Sequence, residues 1–337
     1  ESLENLKVDQ YVDSYISFLT TKRKKPSELV KIRKFIVLTL PAGFTLKKYG
    51  WEDEMLEGIK DIIGDHIPIV GGSAGDDGRF IKNYQFANGE VYDDSVVLAT
   101  IFSNVKFGFG LAHGFEPTEK IALVTKSKDN IVYELNGKPA VEVYAKMLGV
   151  SKEELLRGVG FLKMGEKIPT LALTFLEKIG VDKQEFMKKV PLYQFMMENP
   201  FGIPDVSGNY WIKNPRGIVD KKYIEFQCKI PKNLPLTLMK VDKQKSITAT
   251  NRSLKESLKE FKKYPVLSII FECGGRYFYL GEDIAKSLEK VRGTLDGGEF
   301  IGFYTSAEQG LTKNMTSKPH AYTCVSLSLS DELITNK

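Results

Sequence analysis

An α/β (α+β) protein of two similar lobes is the fold the sequence predicts, each lobe a mostly antiparallel sheet backed by helices, with a cleft between them. Two observations carry this expectation. Apolar runs of strand length alternate with segments whose apolar residues recur at helical spacing. One strand–helix–strand pattern also occurs twice. In the first copy, residues 34–40 form an apolar strand, and Trp51, Met55, Leu56, Ile59, Ile62 and Ile63 fall on one helix face. A second strand, residues 67–70, then runs into Gly71-Gly72-Ser73-Ala74. In the second copy, residues 266–271 are the strand, Ile284, Leu288 and Val291 mark the helix face, and residues 299–305 lead to Ser306-Ala307. A further apolar strand follows each copy, at 96–102 and 322–329.

The glycine-rich run after residue 70 joins strand to strand. Residues 80–86 and Val91-Tyr92 flank Asn88-Gly89, a two-residue hairpin turn. With no helix behind it, no Lys-Ser/Thr pair and no third dinucleotide glycine, the run lacks the parts of a phosphate loop. Farther on, Pro139 opens a helix whose apolar face is Val141, Tyr144, Ala145 and Leu148, and Gly149 ends it. Ser151 with Glu154 forms a capping box. Residues 170–179 and 182–190 continue as short helices, giving a helical patch over 150–198. Residues 198–204 read as a connector, so the boundary is expected near residue 200, between parts 1–200 and 201–337. Residues 209–239 are strand-rich, with turns at 214–217 and 232–233. Ser253 with Glu256 caps the next helix, with Leu254, Leu258 and Phe261 inward.

Composition narrows the function classes. Hydrophobic residues make up 42% and charged residues 27% of 337 residues, values of a globular protein. Forty-eight Lys and Arg against 43 Asp and Glu give a net charge of +5, with the two signs interspersed, which argues against a nucleic-acid partner. No apolar run approaches the roughly 20 residues of a membrane helix, and the polar start is no signal peptide, so a cytoplasmic protein without a membrane partner is expected. Three widely separated cysteines read as reduced thiols. No two of the three histidines share helical spacing, so no metal site is signalled.

Several residues invite chemistry. Gly71, Gly72 and Gly75 allow close backbone approach, by a ligand or by a neighbouring strand. Asp76-Asp77 and Asp93-Asp94 read as turn residues before cation ligands. Arg276, after Cys273-Gly274-Gly275, offers a two-pronged donor for a carboxylate, or an internal salt bridge to Glu272, Glu282 or Glu308. His320 reads as a polar cleft histidine. A nucleophile–base–acid scheme from Ser306, Glu308, His320 and Cys324 lacks a nucleophile elbow.

The motifs VGGSAGD, GFEPTEKIALVTKSKDNIVYELNGKPAVEVYAKMLG, ECGGRYFYLG and GFYTSAEQG together resemble the FIST domain, in its N-terminal and C-terminal parts. The resemblance implies a sensory module of intracellular signalling, working beside kinases or cyclases and binding a small ligand such as an amino acid. It also implies a second option, since some members bind haem and respond to nitric oxide, with His113 or His320 as the axial ligand here. The expected reading is a non-catalytic module without a resident cofactor, binding a small carboxylate at Gly71, Gly72, Ser73, Gly75, Asp76, Arg276, Tyr304, Glu308, His320 and Thr323. An enzyme using Glu308, His320 and Cys273 is the alternative. Two departures bear on the ligand. Ser306-Ala307-Glu308 stands where the family usually has Tyr-Gly-Glu, and His320-Ala321-Tyr322-Thr323 where it has His-Asn-Gln-Thr. If the missing amides contact the common ligand, the ligand of this chain differs.

Overall fold

The computed structural model describes residues 35–157 and 196–333, apart from 46, 66, 77–79, 206–207, 264 and 314–315. The first unit begins with β1 (Phe35–Pro41), α1 (Glu52–Ile63) and β2 (Ile69–Gly72), and β2 lies parallel to β1. Acidic Glu52, Asp53 and Glu54 in the first turn of α1 and Lys60 in its last suit the helix dipole. Leu56, Ile59 and Ile63 face inward, but Trp51 caps the helix and stays exposed rather than joining that face. The hairpin β3 (Tyr84–Ala87) and β4 (Glu90–Asp93) turns at Asn88 (φ 53°) and Gly89 (φ 82°), the positive-φ pair that such a turn requires. Then β5 (Val96–Phe102) runs antiparallel along the other side of β1.

The next strand, β6 (Val105–His113), leaves this unit for the second one. A third sheet follows, built from β7 (Phe115–Lys128), β8 (Ile131–Leu135), β10 (Phe201–Pro204), β11 (Tyr210–Lys213), β12 (Pro215–Val219), β13 (Tyr223–Phe226) and β14 (Pro235–Val241), with β9 (Lys138–Pro139) on β8. Its strands come from either side of residue 200. α2 (Ala140–Leu148) and α3 (Lys152–Arg157) cover it, and Tyr144, Leu155, Phe201 and Phe226 meet in its core. The capping box is present: Glu154 N donates to Ser151 Oγ (3.1 Å) and Ser151 N to Glu154 Oε2 (2.8 Å). Two expectations are corrected. The connector at 198–204 contains β10, and 214–217 is the start of β12 rather than a free turn, because both segments pair into the sheet. The helices expected at 170–179 and 182–190 lie outside the described residues.

The second unit opens with α4 (Lys243–Leu258), whose cap is Asp242, accepting from Lys245 N at 2.8 Å. Ser253 therefore sits in mid-helix instead of capping it, and its hydroxyl bonds Ser326 (2.9 Å). Then come β15 (Leu267–Cys273), α5 (Gly274–Leu280), α6 (Ile284–Leu295), β16 (Glu299–Thr305), β17 (Glu308–Leu311), β18 (Ser317–His320) and β19 (Thr323–Leu333). Parallel β15–β16 and antiparallel β15–β19 repeat the first unit's β1–β2 and β1–β5 pairings. On α6 the inward residues are Val291 and Leu295, while Leu288 is exposed.

The two expected lobes are these two units, and they stack as layers. Sheet one has the order β18-β17-β2-β1-β5 and sheet two the order β16-β15-β19-β6. Alternation along the strands sends Ile36 and Val70 of sheet one against Phe271, Val325 and Leu327 of sheet two. Phe35, Val37 and Ile69 turn the other way, onto α1. On the far side of sheet two, Ile270 meets Leu254 of α4 and Val291 and Leu295 of α6. The order of layers is thus helix, sheet, sheet, helix. The units also exchange strands, with β6 pairing β19 and β17 pairing β2. Gly108 and Gly110 of β6 let α4 lie close, for a Cβ at either would come within 1.7 Å and 1.8 Å of the Ser257 and Ser253 carbonyl oxygens.

Candidate functional site

The repeated Ser-Ala pairs meet. Ser306 N donates to Ser73 O (2.9 Å) and Ser73 N to Ala307 O (2.8 Å), and Ser306 Oγ reaches Ala74 O (3.1 Å). β17 then continues along β2, with Glu308 opposite Gly72 and Gln309 opposite Gly71. This explains the glycines. A Cβ on Gly71 would stand 1.9 Å from Thr39 O, and one on Gly72 would stand 2.2 Å from Thr305 Cγ2, whereas Gly75 has open space. Gly71 and Gly72 are therefore packed inside sheet one. From this seam a buried polar chain runs outward: Thr39 Oγ1 donates to Gln309 Oε1 (3.2 Å), Gln309 Nε2 to Ser73 Oγ (3.0 Å), and Ser73 Oγ to Glu52 Oε1 (2.7 Å).

Glu52 forms part of the wall of a cavity between sheet one and the third sheet, where β18 of sheet one meets β11. Phe44 and Glu52 come from the first unit, Ile212 and Cys228 from the third sheet or its flank, and Ala307 and His320 from the second unit. The free volume is about 20 Å³, room for a water-sized group. Trp211 Nε1 donates to Pro319 O and ties the third sheet to β18.

The wall is electrostatically unusual. Burial raises the Glu52 carboxyl to about 7, against the opposing bond from Ser73. His320 is buried, and neither ring nitrogen makes a hydrogen bond. Burial first, and then the charge of Lys213, push its pKa down to about 3. Lys213 is itself buried, with Nζ 3.1 Å from Cys228 Sγ, 3.4 Å from Asp53 Oδ2 and 4.0 Å from the centre of the Trp211 ring. Burial disfavours its charge, but Cys228 and Asp53 outweigh that and hold its pKa raised. The Cys228 thiol is pushed up to about 12 by burial. Asn214, next to Lys213, keeps both side-chain amide atoms buried without a partner. Asn214 and Lys213 lie outside the lining, which is largely apolar, with Glu52, Gln227, Cys228 and His320 as its polar members.

The other expected residues lie elsewhere. Arg276 is fully buried in the first turn of α5, and its guanidinium bonds Glu272, Ser246 O (2.8 Å) and Thr250 Oγ1 (3.4 Å). Of the two readings of Arg276, the internal salt bridge to Glu272 is the one formed. Glu308 accepts from Thr305 Oγ1 (2.6 Å), Thr323 Oγ1 (2.8 Å) and Thr323 N (3.2 Å), and burial raises it to about 8. Asp76 accepts the N–H groups of Phe80 (2.6 Å), Ile81 (2.7 Å) and Lys82 (3.0 Å), which is turn chemistry. Tyr304 is exposed, edge-on to Tyr277. Only Ser73 and His320 of the expected set belong to the junction, and Ser73 does so through Glu52. For the alternative nucleophile scheme, Ser306 is bonded to Ala74, Glu308 to two threonines and Cys324 to Glu272 (3.2 Å).

His113 does not fit a haem. Nδ1 of His113 accepts from Phe115 N (3.1 Å), which leaves Nε2 to donate to Tyr210 O (3.2 Å), and burial lowers its pKa to about 4. Both of its nitrogens are engaged. Among the described residues, no three His, Cys, Asp or Glu are arranged to hold a metal ion.

Sequence reasoning missed Glu52, Lys213 and Cys228. A carboxylate opening a helix reads as dipole compensation, and Lys213 sits in a strand beside apolar Ile212, where only its burial sets it apart.

Two like units, sheet on sheet and closed over a polar junction, define a two-part domain, and comparison with known families names it. The FIST N domain matches residues 7–138 and the FIST C domain residues 172–311. The chain belongs to the FIST family, whose domains are sensory domains of signalling proteins. It is similar to an uncharacterised protein of Methanocaldococcus jannaschii, 32% identical over 231 residues. That match covers 68% of this chain and 40% of the relative, so the chain spans well under half of the relative's length. Among the described residues no helix is long and apolar enough to cross a membrane.

Proposed function

We propose that this chain is a cytoplasmic sensory module that binds a small molecule, an amino acid or another small carboxylate, at the junction lined by Glu52, Cys228 and His320. A kinase or cyclase partner would read its state. The observation that carries this reading is His320, whose two ring nitrogens are buried without a partner at full hydrogen-bond geometry, the Gly310 backbone being the nearest, in the wall of a cavity between sheet one and the third sheet. An unsatisfied buried polar group costs about 1–3 kcal/mol, which a ligand bonding it recovers. Lys213 supplies the nearby positive charge, a role that Arg276 cannot take while it holds Glu272.

The mechanism follows from size. A free volume of about 20 Å³ does not admit an amino acid, so binding requires sheet one and the third sheet to part. A ligand that prefers the parted arrangement shifts the population toward it, by no more than its difference in affinity for the two. Thermal shift with amino acids and small carboxylates finds the binder, since a ligand at about 100 Kd adds roughly 2.7 kcal/mol. Calorimetry then compares the wild type with His320→Ala. The expected result is at least a tenfold loss of affinity in a variant that is still folded. Equal affinity in both proteins, or a panel without any binder together with native mass spectrometry showing nothing retained on purification, overturns the proposal.

A further inference from the structure

The repeat that relates the two units is unequal on one face. β1 answers to β15, β2 to β16 and β5 to β19, and α1 and α6 each lie in sequence between the two parallel strands of their unit. The second unit has one helix more. α4 comes directly before β15 and packs beside α6, with Leu254 against Val291 and Leu295. It covers the helix face of β19, where Ser253 bonds Ser326 and Ser257 meets Ser328. Among the described residues of the first unit, which begin at Phe35 of β1, nothing takes that place.

The face that such a helix would cover is bare. Residues paired across antiparallel strands share a face, so Val96, Leu98 and Phe102 of β5 stand with Pro41, Thr39 and Phe35 on the α1 side of sheet one. α1 packs on Phe35 and Val37 and reaches Leu98, but Val96 remains 43% and Phe102 59% exposed. Where β19 offers hydroxyls to α4, β5 offers valine, leucine and phenylalanine. The complement of that surface is the apolar face of an amphipathic helix.

The segment before β1 carries such a face. Val8, Tyr11, Val12, Tyr15 and Leu19 recur at helical spacing, with Asp9, Asp13 and Ser17 on the opposite side. Lys22-Arg23-Lys24-Lys25 followed by Pro26 supplies a cationic helix end and a stop. The connection left to β1, 26–34, matches within one residue the connection 259–266 that joins α4 to β15. The match to the FIST N domain also begins at residue 7 rather than at β1, so this segment is part of the same domain as the sheet. A tethered segment has a further advantage over a free partner, because attachment gives it a high effective concentration at the face.

We propose that residues 8–25, which lie outside the described residues, are the counterpart of α4: a helix beside α1 that seats the stripe from Val8 to Leu19 on Val96, Leu98 and Phe102. The occupant of this face is then the chain's own segment. The contact is independent of any ligand at the junction.

Hydrogen exchange of the full chain, read by mass spectrometry, tests this. Amides of 8–19 are expected to exchange about a hundredfold more slowly than in an unstructured peptide, at a rate that does not depend on protein concentration. Phe102→Asp is expected to speed exchange in 8–19 at least tenfold while peptides from β19 keep the wild-type rate. Val96→Asp, at the other end of the strand, acts in the same direction and guards against a folding defect at Phe102. Ile301→Asp on β16, far from the face, is expected to leave 8–19 protected. The proposal is overturned if 8–19 exchanges as an unstructured chain, if both β5 variants leave its rate unchanged, or if both loosen β19 as much as 8–19. Protection that appears only at high protein concentration assigns the face to a second copy and overturns it as well.

Discussion

Arg276 shows how burial decides a role. An arginine beside two glycines at a strand end has the donors to clamp a carboxylate ligand, but here it has found a carboxylate from its own chain, Glu272 four residues before it. The ring of acceptors formed by Glu272, Thr250 and the Ser246 carbonyl leaves its fork turned inward. Removing one partner of a buried pair strands the other charge, at a cost of about 3–5 kcal/mol. Arg276→Ala is therefore expected to lower the melting temperature sharply and to leave ligand affinity, measured by calorimetry on the folded fraction, at the wild-type value. A loss of affinity without a loss of stability would return Arg276 to the binding site. The glycines divide in the same way. Gly72→Ala drives a Cβ into Thr305 and is expected to destabilise by about 1–3 kcal/mol, while Gly75→Ala meets open space and stays within about 0.5 kcal/mol, both read from urea melts.

At the scale of elements, the repeat was legible because each copy keeps strand and helix periods distinct over enough residues. The hairpin at Asn88-Gly89 and the capping box at Ser151 were legible because their chemistry is local. Helix α4 was not, and its composition explains why. Its buried face mixes Ser246, Thr250, Ser253 and Ser257 with Ile247, Ala249 and Leu254, so its apolar signal is diluted by hydroxyls. Close backbone approach over Gly108 and Gly110, and hydroxyl pairs such as Ser257 with Ser328 (2.7 Å), stand in for an apolar stripe. Two substitutions check this. Asp242→Ala removes the true cap and is expected to cost about 1 kcal/mol in chemical denaturation. Gly110→Ala should destabilise more than that, because the obstacle is backbone rather than a movable side chain. The site itself was only partly legible, since Glu52, Lys213, Cys228 and His320 are brought together by the packing of sheet one against the third sheet, and no local pattern encodes that.

At the scale of the whole molecule, four buried titratable groups among the described residues bear on the response between about pH 4 and 8. Glu52 and Glu308 rise from 4.5 to about 7 and about 8, so the fold prefers them neutral. Their contribution is present below pH 4.5 and is lost as pH climbs toward those values. His320 and His113 fall from 6.5 to about 3 and about 4, so the fold prefers them neutral as well, and that preference destabilises the protein as pH drops below 6.5. Between about pH 4.5 and 6.5 the two pairs oppose each other and stability is expected to change little. From 6.5 to 8 only the carboxyls titrate, and stability should fall. Urea midpoints measured across this range check the shape, and Glu52→Gln should flatten the decline up to pH 7 while leaving the part due to Glu308.

The exchange of strands between the units also governs the order in which the protein can be made. β6, at 105–113, leaves the ribosome long before its partner β19, at 323–333. Until residue 333 has emerged, Phe107 and Phe109 lack the strand they pair beside, and sheet two cannot close. A chain stalled or truncated anywhere before that point carries an orphaned strand. Its first half is then a client for chaperones and a seed for misassembly, however well its own helix and sheet have formed.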